Sequence, residues 1–147
     1  MQQGGTGRVF LEIQLTCRLF HLPQDILFKW LFDPITSRII EMFFVSETVL
    51  PKSKKKMMHS LQGQYGGLAK DKYGSHLIDK IWLVAPIALK ETIAEELLTQ
   101  ERDILNDFHG KFVARNVKLD LFKRRRQEWR EMEQGAQTRK ALFKDFL

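Results

Sequence analysis

The sequence has little of what would mark a secreted, metal-binding or membrane-spanning protein. It contains one cysteine, Cys17, among 147 residues, which excludes an internal disulfide framework and a cysteine-rich zinc module. A lone thiol is typical of the reducing cytosol or nucleus. The longest apolar run, 81–89, is interrupted by Pro86 and is far shorter than the roughly 20 residues of a membrane span. No apolar region follows Arg8, so we expect no secretory signal.

Signals for strands and for catalysis are also missing. No stretch alternates apolar and polar residues around a hairpin turn, so we do not expect a β fold. Gly4, Gly5 and Gly7 are not followed by the Gly-Lys-Ser/Thr of a phosphate loop. Cys17 and His21 supply only two possible metal ligands, and no Ser-His-Asp or Cys-His arrangement has local support. We therefore expect no enzyme activity, no metal and no cofactor.

The charge is distributed unevenly along the chain. Residues 1–110 carry 13 basic and 13 acidic side chains, whereas residues 111–147 carry 11 basic and 5 acidic ones, so the whole net charge of +6 lies in the last quarter. A basic segment on a neutral body indicates an acidic partner, most often nucleic acid, and a solvated tail is the alternative. The run 123–126 resembles a short nuclear-localisation signal, with an RNA-phosphate patch or an amphipathic cap as alternatives.

Helical periodicity is what the sequence does contain. Ile39, Ile40 and Phe43 occupy positions i, i+1 and i+4, and the same spacing recurs twice further along the chain, which predicts one apolar face on each of three helices. The stretch Ile93–Leu105 also has helical spacing. Prolines separate these segments. The predicted class is all-α with short connections.

Three nine-residue segments are similar to one another: DPITSRIIE, DKYGSHLID and DFHGKFVAR. They begin at Asp33, Asp71 and Asp107, which are 38 and 36 residues apart. Aspartate is a favoured N-cap, and Pro34 would then occupy the first helical position, where its missing N–H costs nothing. The fourth residue of each segment is small and would let a neighbouring helix approach closely: Thr36, Gly74 and Gly110. The seventh and eighth residues are apolar and would face the core.

The fifth, sixth and ninth residues of each segment share one helix face, because positions i, i+1 and i+4 are neighbours there. These nine candidates are Ser37, Arg38 and Glu41, then Ser75, His76 and Asp79, then Lys111, Phe112 and Arg115. We expect all nine to line one concave surface. The alternative is a helical repeat of the HEAT or armadillo type that binds a protein partner.

The segment DKYGSHLID resembles the core of a Pumilio-type (PUF) RNA-binding repeat, a family whose repeat length matches the observed spacing. The resemblance covers residues from about 20 to 122. Other stretches are similar to the C-terminal repeats of the divergent nucleolar branch of this family, which acts in ribosome biogenesis: FVARN (112–116), LFKRRR (121–126) with Trp129, QGQY (62–65) and DKIW (79–82).

The resemblance implies a right-handed α-solenoid of about three PUF-like repeats with a basic C-terminal helical cap. The implied boundaries are an irregular segment 1–14, repeats at about 15–50, 51–86 and 87–122, and a capping helix 123–147. A solenoid needs such a cap over its last repeat. Trp129, Leu142 and Phe146 would provide it.

The resemblance also implies a function. In PUF repeats, two side chains read the edge of one base and a third stacks on it. The first triplet, Ser37, Arg38 and Glu41, matches the one that reads guanine in this family. The second triplet has a shorter acid, Asp79. The third has no acid, so its cations would contact phosphate. The implied partner is single-stranded RNA, namely pre-ribosomal RNA in small-subunit ribosome biogenesis in the nucleolus. Pre-ribosomal proteins are further implied partners of a monomer that does not bind membranes.

Overall fold

The computed structural model describes the backbone of residues 22–146 and the side chains of residues 22–140 and Leu142. Within these residues the chain forms ten helices and no strand: α1 Gln24–Leu31, α2 Thr36–Val45, α3 Pro51–Ser60, α4 Tyr65–Ala69, α5 Lys72–Val84, α6 Ile87–Thr99, α7 Glu101–Asn106, α8 Phe108–Asn116, α9 Leu119–Arg124 and α10 Arg126–Phe146. The predicted irregular segment 1–14, Cys17 and His21 lie outside the described residues. None of the described helices has the length and apolar character needed to cross a membrane.

The predicted aspartate caps are present at the start of α5 and α8. The Asp71 carboxylate accepts the backbone N–H groups of Tyr73 and Gly74 at 3.0 and 2.8 Å. Asp107 does the same for the N–H groups at 109 and 110, at 2.9 and 2.8 Å. Each carboxylate therefore satisfies two of the N–H groups that a helix start leaves without a partner.

The first segment differs in one detail. Asp33 accepts the N–H groups of Ile35 and Thr36 at 2.9 Å each, but the regular helix begins only at Thr36. Pro34 therefore lies in the turn before α2 and not at its first helical position, contrary to the prediction. The hydrogen bonds from Thr36 and Ile35 hold the pKa of Asp33 below its usual value, because they stabilise the ionised carboxylate.

The small fourth residue of each segment lies against a backbone carbonyl six residues earlier. A Cβ on Gly74 would come within 2.6 Å of the Leu68 carbonyl oxygen, and a Cβ on Gly110 would overlap the Ile104 carbonyl oxygen. Thr36 instead donates its hydroxyl to the Trp30 carbonyl at 2.9 Å. The same sharp corner between two helices is therefore built three times, twice with glycine and once with a side-chain hydrogen bond.

These corners place α2, α5 and α8 side by side. Helix α2 packs against α5, and α5 packs against α8, while α4 packs against α5, α6 and α8. The apolar residues predicted to face the core are buried, except Ile39, which is half-buried. The buried ones are Ile40, Phe43, Leu77, Ile78, Ile81, Val113, Ala114 and Val117. The chain is an all-α solenoid.

The predicted helix over Ile93–Leu105 is wrong, because the chain breaks at Gln100 (φ −117°, ψ 25°) between α6 and α7. The break brings the Gln100 side chain against the Cα of Gly66. It also lets the Gln100 amide oxygen accept from Lys70 Nζ at 3.2 Å. These tertiary interactions with α4 and the residue after it outweigh the local helical preference.

The C-terminal cap is organised around Trp129 on α10. Its ring is fully buried, packs edge-to-face on Phe122 and Trp82, and donates its indole N–H to the Val117 carbonyl at 2.8 Å. Trp82 is half-buried at this junction. Leu142 is 55% exposed, so it does not serve as the cover we predicted. The side chain of Phe146 lies outside the described residues.

A buried ion pair fastens α10 to α6. Lys90 Nζ lies 3.1 Å from Glu133 Oε2, and both side chains are almost fully buried. Lys118 Nζ approaches the other carboxylate oxygen at 3.5 Å. Since an uncompensated buried charge costs several kcal/mol, the two lysines fix the register of α10 on the last repeat.

We predict that Gly110→Ala lowers the free energy of unfolding by about 1–3 kcal/mol, because the added methyl overlaps a backbone carbonyl that cannot rotate away. Gly135→Ala is the matched control. It is also a helical glycine, but nothing lies within 4 Å of the point that its Cβ would occupy, so we expect a gain of about 0.5–1 kcal/mol from helix propensity. Urea denaturation of the two variants measures both values. Equal effects would contradict the close approach at Gly110.

Candidate nucleic-acid interface

An open groove of about 740 Å³ runs between α2 and α5. It is lined by Pro34, Ile35, Ser37, Arg38, Glu41, Lys72, Tyr73 and His76. All three candidates of the first segment are thus in one groove with His76, the sixth residue of the second. Arg38 and His76 are exposed and hold equivalent positions in successive repeats. Two flat side chains therefore border a groove that also contains a carboxylate.

The first triplet presents a carboxylate that has not been neutralised by its neighbour. Arg38 and Glu41, which could have been surface partners, form no ion pair with each other in the described part of the chain. Glu41 is half-buried, and Ser37 is buried within the groove. A carboxylate with two open oxygens can accept two hydrogen bonds at once.

The second triplet is more constrained. Ser75 is buried, and its hydroxyl donates to the Lys72 carbonyl at 2.9 Å. Asp79 accepts a hydrogen bond from the Asn116 amide on α8, with Asn116 Nδ2 at 3.3 Å from Asp79 Oδ1. His76 remains exposed. Of the polar groups in this triplet, one hydroxyl and one carboxylate oxygen therefore already have partners within the protein.

The third triplet forms a cluster of cations around an aromatic ring. Lys111 Nζ and Arg115 Cζ lie 5.9 and 5.5 Å from the centre of the Phe112 ring, close enough for cation–π attraction. Phe112 is 44% exposed, so it is not enclosed between repeats. Neither cation forms an ion pair with an acid among the residues that the structure describes. This cluster offers two positive charges and an accessible ring face.

The basic run 123–126 has a different environment. Lys123 pairs with Glu101 at 2.9 Å, and Arg126 pairs with Glu95 at 3.3 Å. Further along α10, Arg130 donates its Nε–H to Glu91 at 2.6 Å. Arg124 and Arg125 pair locally with Asp120 and Glu128. All five cations neutralise acids of this chain, and Lys123, Arg126 and Arg130 connect α9 and α10 to α6 and α7, as the amphipathic-cap alternative requires.

Four further residues at this surface were not predicted from the sequence: Lys72, Tyr73, Phe108 and Asn116. Phe108 is 65% exposed, and its ring centre is 5.6 Å from that of Phe112. Lys72 and Tyr73 line the groove, and Asn116 is hydrogen-bonded to Asp79. The first three occupy the second and third positions of the repeated segments, so the repeat alignment contained the signal that could have identified them. No group of three or more possible metal ligands occurs among the described residues.

Three stacked helices with polar and flat side chains at the same register define a helical-repeat protein. A family model described as "NOP9-like PUF repeat domain" matches residues 12–112. The chain belongs to this family, as its repeated segments had indicated.

Curated relatives agree with this assignment. The chain is 37% identical over 112 residues to nucleolar protein 9 of Homo sapiens, a match that covers 75% of this chain and 18% of that protein. It is 34% identical over 115 residues to nucleolar protein 9 of Mus musculus, covering 78% and 18%. The chain thus spans about a fifth of the length of these relatives.

Solved structures give the same fold. The structure of APUM23-GGAGUUGACGG is similar with a TM-score of 0.74 and 25% sequence identity, covering 80% of this chain and 22% of that one. The structure of APUM23-GGAUUUGACGG matches with the same values.

We predict that replacing Arg126 and Arg130 together by Gln lowers the free energy of unfolding by about 0.4–2 kcal/mol, the range for two partly exposed ion pairs. Added salt should narrow the difference from the wild-type protein, because it screens such pairs. Urea denaturation at low and high salt measures both effects. Unchanged stability at low salt would mean that these arginines do not hold the cap.

Proposed function

We propose that the chain binds single-stranded RNA along the face formed by α2, α5 and α8. The observation that carries this proposal is the groove between α2 and α5, in which Arg38 and His76 border the space beside Glu41. A guanidinium plane and an imidazole ring can stack on the two faces of a base. The Glu41 carboxylate can accept the two adjacent donors of the guanine edge.

The second and third repeats extend the proposed RNA-binding face, and their contacts depend less on the identity of the base. His76 and Phe112 are the corresponding flat side chains of the second and third repeats, and both are exposed. Lys111 and Arg115 attract phosphate whatever the base, since phosphate contacts carry no sequence information. All nine residues predicted from the sequence remain candidates, with Ser37 and Ser75 as buried members of their triplets.

The names of the relatives support a finer proposal. Nucleolar protein 9 is named for the nucleolus, and the APUM23 structures carry uracil-containing sequences in their descriptions. We therefore assign the chain to pre-ribosomal RNA, to the nucleolus and to small-subunit ribosome biogenesis. Crosslinking in cells tests this assignment by the RNA that is recovered.

We predict that Glu41→Gln relaxes a preference for guanine at one position by about 1–3 kcal/mol, the value of one good bidentate base contact. A neutral amide cannot accept two hydrogen bonds from adjacent donors as a carboxylate can. Four short RNAs that differ at that base, each titrated at two salt concentrations, measure the preference. Glu47→Gln, which changes an exposed acid in the loop after α2, is the matched control. If Glu41→Gln altered the affinity for all four RNAs equally, the guanine-reading role would be wrong.

We predict that the double change Lys111→Ala and Arg115→Ala weakens binding to all single-stranded RNAs alike. The slope of log affinity against log salt should fall by about 0.7 for each phosphate that the variant no longer neutralises. The control removes the same charge elsewhere by changing Arg124 and Arg125 to Ala, because those cations already pair with nearby acids. A protein-binding scaffold, the rival function, would show no salt-dependent RNA binding to weaken.

A further inference from the structure

The acids at the ninth position of the first two repeats have different surroundings. Glu41 lines the open groove and forms no hydrogen bond or ion pair with another described side chain. Asp79 is bonded through Oδ1 to the amide of Asn116, which comes from the following repeat. One acid therefore presents two open oxygens, and the other presents one.

The residue type at the tenth position of the following repeat explains the difference. Asn116 is the tenth residue counted from Asp107, and the equivalent residue counted from Asp71 is Lys80. Lys80 therefore occupies the same position relative to Glu41 of the preceding repeat as Asn116 occupies relative to Asp79. Lys80 is exposed and makes no ion pair with Glu41 within the described residues. The short amide of Asn116 instead reaches the acid of the preceding repeat.

This hydrogen bond changes what the second repeat can distinguish. Two adjacent donors occur on the Watson–Crick edge of guanine alone, so two open carboxylate oxygens select guanine. Asp79 has one oxygen without a partner, Oδ2, whereas Oδ1 already accepts a hydrogen bond from the Asn116 amide. The second N–H of that amide is a further donor that a base can use. A protein acceptor next to a protein donor can pair with a base that has a donor next to an acceptor. All four bases have such a neighbouring pair on their Watson–Crick edge. Because Oδ1 shares its acceptor capacity with Asn116 and the amide adds a donor, we infer that the pair Asp79–Asn116 favours guanine less than a carboxylate alone and accommodates the other bases.

No other group in the second triplet restores the discrimination. The Ser75 hydroxyl is buried and donates its proton to the Lys72 carbonyl at 2.9 Å. His76 is exposed and presents a flat ring, and stacking on a ring tolerates every base.

We propose that Asn116 is the positioning residue that makes the second repeat base-tolerant, by occupying one oxygen of Asp79 from the neighbouring repeat. This inference rests on the proposed RNA-binding function. In this arrangement the first repeat selects guanine. The base preference of the second repeat depends on Asn116, which belongs to the third repeat.

The test is selection from a pool of random single-stranded RNA, followed by sequencing of the bound molecules. The wild-type protein should enrich guanine at one position. Asn116→Ala frees Asp79, so a second guanine should be enriched at an adjacent position by about fivefold or more, the lower range for a bidentate contact. Asn106→Ala, which removes an exposed amide at the end of α7, should give the wild-type profile.

A second variant guards against a folding defect. Asn116→Met places the residue that the first repeat has at this register, Met42, and it also removes the donor. Thermal unfolding verifies that the variants fold. A folded Asn116 variant with the wild-type profile would overturn the proposal, and so would a wild-type protein that already selects two adjacent guanines. Failure of the wild-type protein to bind any RNA would instead refute the proposed function.

Discussion

The structure depends on one corner that recurs three times, in which an aspartate carboxylate caps a helix and the helix passes close to a carbonyl six residues earlier. At Asp71 and Asp107 the carboxylate accepts two N–H groups while the aspartate N–H donates to the Leu68 or Ile104 carbonyl. This geometry sets the direction in which each inner helix leaves the corner. Because the direction is the same each time, α2, α5 and α8 lie side by side and their polar residues meet on one face.

The cations of residues 111–130 fall into two groups with different surroundings. The basic side chains from Lys123 to Arg130 pair with acids of α6 and α7 or with acids close to them in sequence, as Arg126 does with Glu95. Lys111 and Arg115 have only aromatic rings as close partners among the described residues. A net charge of +6 therefore does not translate into an equal number of cations available to phosphate. Lys111 and Arg115 lie on the face that also carries Phe112, where attraction of a backbone and stacking of a base can act together.

The three repeats share a register but not a chemistry. Neither carboxylate oxygen of Glu41 has a hydrogen-bond partner among the described side chains. Asp79 accepts a hydrogen bond from Asn116 of the next repeat. The third repeat has the cations Lys111 and Arg115 at the positions where the other repeats have polar or acidic side chains. In the proposed RNA complex, this difference would combine one selective position with positions that contribute affinity, since base contacts specify and phosphate contacts position. Under the proposed function, interactions between repeats such as that of Asn116 with Asp79 contribute, with the triplets, to what each repeat can distinguish.

The sequence by itself determined the helical class, the common register of the three repeated segments and the caps at Asp71 and Asp107. It also determined the inward face that contains Ile40 and Ile78. Each of these follows from spacing within a single segment. Only the tertiary structure decided the break at Gln100, the location of Pro34 before its helix, the half-buried state of Trp82 and the pairing of Arg126 and Arg130 with α6. Those features depend on side chains that are distant in sequence, as Asn116 and Asp79 are, and local periodicity contains no information about which distant groups will meet.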